Sequence, residues 1–207
     1  MRTELGGLTY TDGKNEGFVT DDPDAVRGLL DLHGMCILTN VLTPEACDEM
    51  NKGAADTFKY LTKNMPKQFD VEDPATYSAT LQLGPHHGGL FQHHGLPFAP
   101  FALRARQNPN VVTPFARIFG VRPEDLASSL DGVNYHTGAV LYNGHKKFHL
   151  DMGWGHVRSR SVQGLVTANE VQPGDSTFRC LWKPDGGVHE LHHAYGDKFG
   201  LLNDKKD

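Results

Sequence analysis

A succession of short β-rich runs in the second half of the chain sets the strongest limit on what it can fold into. Val133-Asn134-Tyr135-His136 and Ala139-Val140-Leu141-Tyr142 are broken by glycine, and Phe148-His149-Leu150-Asp151 follows. Ser161 to Ala168 then reads as a partly buried strand closed by the turn Gln172-Pro173-Gly174-Asp175, and Ser176 to Trp182 as one more. Runs of this length, bounded by turn residues, are the texture of antiparallel sheets. They lead us to expect a mainly β fold with flanking helices (α+β): a cupin-like jelly roll, or double-stranded β-helix.

The first half reads differently. Asp24 to Leu32 has the pattern of a short helix stopped near Gly34, and Met35 to Leu42 that of an apolar strand. Thr43-Pro44-Glu45 is a helix start, with Thr as N-cap, Pro at the first helical position and an acid in the first turn. Cys47, Met50, Ala54, Phe58 and Leu61 recur at helical spacing and give that helix an inward stripe. Asn64 to Pro100 is irregular and dense in Gly, Pro and His. A further helix is expected over Asn110 to Phe119, with Val112, Phe115, Ala116 and Phe119 inward and Gly120 as its stop. No repeat or low-complexity linker divides the 207 residues, so we expect a polar, glycine-rich arm over 1–20 and a single domain over 21–207.

Charge and apolar patterning exclude two classes of partner. A net charge of −5 argues against a nucleic-acid binder, which needs a basic surface to displace counterions. No apolar run approaches membrane-spanning length, and the first residues lack the apolar region of a signal peptide. Cys36, Cys47 and Cys180 are odd in number and far apart, which suits a reducing cytoplasm.

The chemistry-bearing motif is His149-Leu150-Asp151. On an extended segment, residues two apart point the same way, so one imidazole and one carboxylate share a side. Together they can fill two adjacent corners of an iron coordination sphere, and a second histidine from elsewhere would complete the facial triad of a non-haem Fe(II) oxygenase.

Three collinear stretches carry a resemblance. GMCILTNVLTPEACDEM begins at Gly34, FQHHGLPFAPFALRARQNPNVVTPFARIFG at Phe91, and FHLDMGWG at Phe148, the last followed by VQGLVTANEVQPGDSTFRCLW. Between about Gly34 and Trp182 the chain resembles the phytanoyl-CoA dioxygenase-like family of Fe(II)- and 2-oxoglutarate-dependent oxygenases. The resemblance implies that His149 and Asp151 are iron ligands. It implies 2-oxoglutarate and O2 as co-substrates in the open positions, with succinate and CO2 as products beside an oxidised small organic substrate. The metal and co-substrate would supply the reactivity and the protein a shaped, dry pocket. Family members carry the third histidine and a 2-oxoglutarate-binding arginine on later strands, which are not evident in this chain. The roll is therefore expected to be incomplete at its C-terminal end, leaving unpaired edges that favour association into homo-oligomers. A non-catalytic binding homologue, or a piece needing further strands, stands as the alternative.

Among the downstream histidines, His189 matches the histidine of a family G-S-H loop, which in the family is not the metal ligand; on position it leads as a replacement third ligand, ahead of His192 and His193, and solvated loop or helix positions are the competing reading. Gln163 and Thr167 alternate onto one face of their strand. They either line the barrel and bind co-substrate or lie outside as ordinary exposed residues. His86, His87, His93 and His94 lack zinc-site spacing and have no accompanying cysteine. A glycine-rich loop with Gln92 and His93 at the pocket mouth is the functional reading of that region, and a plain surface loop the alternative. Arg158, Arg160 and Arg179 are the candidates to replace the missing arginine, against a default of surface charge.

Overall fold

The computed structural model describes residues 3–5, 8–10, 17–85, 89–129, 131–136 and 162–171. Near the start, β1 (Thr3–Leu5) pairs antiparallel with β2 (Leu8–Tyr10). β3 (Val19–Thr20) pairs parallel with β4 (Ile37–Leu38), and α1 (Val26–His33) makes the crossover between them. The stop at Gly34 has a local cause. Gly34 takes a left-handed φ of 73°, and its N–H donates to the Leu30 carbonyl, closing the last turn of α1.

The helix announced by Thr43-Pro44 is α2 (Pro44–Thr62), and its start is built as the residues dictate. Thr43 is extended, and its hydroxyl accepts from the Ala46 N–H at 3.2 Å, satisfying one of the donors that a helix N-terminus leaves open. Ala54 and Phe58 of the expected stripe are buried; Cys47, Met50 and Leu61 are half-buried. Ala55 and Thr62 widen the stripe, so α2 packs on two sides. One side meets the 3-10 helix Pro74–Leu83, and the other meets α3 (Pro100–Gln107). α3 turns through Asn108 directly into α4 (Pro109–Phe119), where the Asn108 side chain accepts from the Asn110 N–H at 2.9 Å.

The core is an aromatic cluster against α2. Phe58 has no exposed surface and touches Phe69, Phe91 and Tyr135 at ring-centroid distances of 6.0, 4.9 and 4.5 Å. Leu83, Leu96, Ala55 and Ala79 close around it. A second group, Ala54, Phe101, Ala99 and Ala102, fills the α2–α3 contact, and Tyr135 packs against both groups.

Thr62 fastens the end of α2 to this core. Its buried hydroxyl donates to the Phe58 carbonyl and accepts from the Phe69 N–H, each at 2.8 Å, so the chain reverses under the helix without an orphaned donor. Thr62→Val keeps the shape and removes both bonds. It leaves the Phe69 N–H buried without an acceptor and should cost about 1–3 kcal/mol, read as a shift in urea midpoint at constant slope. An unchanged midpoint would mean that Phe69 finds another acceptor.

The expectation of a mainly β jelly roll is overturned. Helices dominate the described residues; every described strand is two or three residues long, and the strands form separate two-stranded ladders with no barrel. β5 (Leu90–Phe91) pairs antiparallel with β6 (Val133–Asn134), so the run beginning at Val133 does supply a strand. The segment Ser161 to Ala168 behaves otherwise. Residues 162–168 make no ladder among the described residues, and Gly164 lies against the Phe115 ring of α4, close enough that a Cβ there would meet it at 2.7 Å. At Gly164 this segment therefore meets a helix, while Leu165 is left 53% exposed. The runs Ala139–Tyr142, Phe148–Asp151 and Ser176–Trp182 lie outside the described residues.

Two further elements differ from expectation. Asn64 to Pro100 holds the 3-10 helix Pro74–Leu83, started by Asp73, whose carboxylate accepts from the Ala75 N–H at 3.0 Å. In α4 the buried residues are Pro114, Ala116 and Ile118, with Phe119 left 37% exposed. α4 packs against α1, and Arg117 pairs with Asp24 just before the start of that helix.

Candidate functional site

The described part of the expected pocket mouth is the β5–β6 ladder and the turn that follows β5. His93-His94-Gly95 turns sharply, with left-handed φ values of 57° at His94 and 74° at Gly95, and the Leu96 N–H donates to the His93 carbonyl at 3.1 Å. Arg106, on α3, holds this turn to β6. Its guanidinium donates to the Pro97 carbonyl at 2.6 Å and to the Gly132 carbonyl at 3.2 Å. Two backbone acceptors, at Pro97 and Gly132, far apart in sequence, are thereby joined by one side chain.

Beyond the ladder, the Tyr135 N–H donates to the Gly89 carbonyl at 3.1 Å, and the His136 ring lies over Gly89. Gly89 has φ +109°, and a Cβ there would stand 2.8 Å from the imidazole, so only glycine admits the ring at this distance. Burial among Phe58 and Phe69 pushes the Tyr135 phenol pKa up, with a smaller contribution from Tyr77. Tyr135 is accordingly a neutral wall residue at physiological pH.

The expected co-substrate residues fall as follows. Gln92 is exposed, and its amide donates to the Asp131 carboxylate at 2.8 Å, which ties the ends of the β5–β6 ladder together. Gln163 and Thr167 are exposed. His149, Asp151 and His189, expected as metal ligands, lie outside the described residues. So do His86, His87, His192, His193, Arg158, Arg160 and Arg179. Among the described residues, no three His, Cys, Asp or Glu side chains converge as metal ligands.

A separate cleft of about 370 Å³ opens between α2 and the α3–α4 junction. Leu42, Met50 and Phe101 form its apolar floor, and the exposed Glu49 and Arg104 stand at its rim. Of the expected residues that are described, Gln92, Gln163 and Thr167 do not line it. The missed helix α3 is what creates it, and the sequence signal for that helix was Pro100 at the first position with Arg104 and Arg106 in the last turn.

Lys59 meets Asp70 at 2.8 Å, and this hydrogen bond, aided by the Glu72 N–H, holds the Asp70 carboxyl below the usual carboxylate range; the same bond raises Lys59. The folded pKa of Asp70 is lower than the unfolded one. Its contribution is therefore fully present above the ordinary aspartate range and is lost as pH falls through the folded value. Asp70→Asn should lower neutral stability by a small amount, because the pair is solvent-screened, and make the acid limb of a stability–pH curve below about pH 4 shallower by the same amount. An acid limb that superposes on that of the parent protein would remove Asp70 from the account.

Comparison with protein-family models, with curated proteins and with solved structures gives no match. Among the described residues, no helix is long and apolar enough to cross a membrane.

Proposed function

We propose that the chain is an Fe(II)- and 2-oxoglutarate-dependent dioxygenase acting on a small organic substrate in a reducing cytoplasm. The observation that carries this reading is the His149-Leu150-Asp151 triplet, placed after two other stretches in the order the family resemblance requires. Two described features support it. The opening stretch folds as Gly34, a short strand and a Thr43-capped helix, and the R-Q-N-P stretch leads into α4. The barrel is no part of the argument. His149 and Asp151 would hold the metal with one further imidazole, for which His189 is the leading candidate, while the co-substrate would occupy open positions.

One observation favours a second reading, a relative that binds without catalysing. Gln92 is engaged by Asp131, Gln163 and Thr167 are exposed, and among the described residues none of the three side chains expected to hold co-substrate lines the cleft.

Anaerobic titration of Fe(II) into the protein with 2-oxoglutarate separates the readings. The oxygenase reading expects a saturable visible metal-to-ligand charge-transfer band, abolished in His149→Ala and in Asp151→Ala. Absence of the band in protein whose circular dichroism shows it folded would overturn the reading.

A further inference from the structure

We draw no further inference here: the strongest candidate, the half-open cleft of about 370 Å³ between α2 and the α3–α4 junction with Glu49 and Arg104 at its rim, has an apolar floor, and nothing in the structure shows what covers it.

Discussion

Phe58→Ala should remove about 3–5 kcal/mol of stability, the usual range for truncating a fully buried aromatic residue. The site justifies the upper half of that range. Phe58 sits at the centre of three ring contacts, with Phe69, Phe91 and Tyr135, contributed by three different parts of the chain. Deleting the ring therefore opens a cavity walled by elements that cannot all move inward together. Since ordinary domains are stable by only about 5–15 kcal/mol, a large fraction of the total would be lost. Tyr60, two residues along the same helix, is the internal control. It is 64% exposed and its ring carries the Lys63 ammonium at 3.9 Å, so Tyr60→Ala should cost under about 1 kcal/mol. Urea midpoints for the two variants decide the matter. Equal losses would mean that the core is not organised around Phe58.

The residues that announce these features differ in how far they must look along the chain. Thr43, Pro44 and Gly34 act within four residues of themselves, and the helix boundaries they set were legible in advance. The spacing of Ala54 and Phe58 likewise reports a single helix face. Strands are a different case, because a β-rich run becomes a strand only if a partner edge is available. Val133-Asn134 finds one in Leu90-Phe91, more than 40 residues upstream, whereas 162–168 makes no ladder among the described residues and Gly164 in it lies against Phe115 of α4. Nothing within either run distinguishes the two outcomes, and the jelly-roll expectation depends on every such run pairing as a strand of one roll. The same logic governs the site. Gln92 looked available to a ligand, but its partner Asp131 lies 39 positions away. α3 is hard to see in the sequence because its eight residues mix small, apolar and basic side chains without a clean stripe, and only Pro100 marks its start. Of the proposed iron ligands the triplet His149-Leu150-Asp151 is visible in sequence, and its chemistry rests on that.

Gly53 supplies the second large effect, and here local propensity and packing predict opposite signs. A glycine inside a helix ordinarily costs about 0.5–1 kcal/mol relative to alanine, so Gly53→Ala judged on α2 alone should stabilise. The neighbour reverses this. A Cβ at Gly53 would stand 2.7 Å from the Cβ of Phe101 and 3.5 Å from its Cγ. No rotamer change relieves that contact, because a Cβ moves only with its backbone, and Phe101 is just 3% exposed within the α2–α3 interface. The helices must separate. Overpacking of this kind costs about 1–3 kcal/mol, which outweighs the propensity gain, and Gly53→Leu should reach the upper end, about 3 kcal/mol. Gly28, inside α1, provides the opposite test: an added Cβ there meets nothing within 4 Å, and its φ is not left-handed. Gly28→Ala should therefore raise stability by about 0.5–1 kcal/mol through propensity and the unfolded state. Two identical substitutions would then shift the thermal midpoint in opposite directions. If Gly53→Ala also stabilised the protein, the close approach of α2 and α3 would be refuted, and with it the geometry of the cleft that their contact creates.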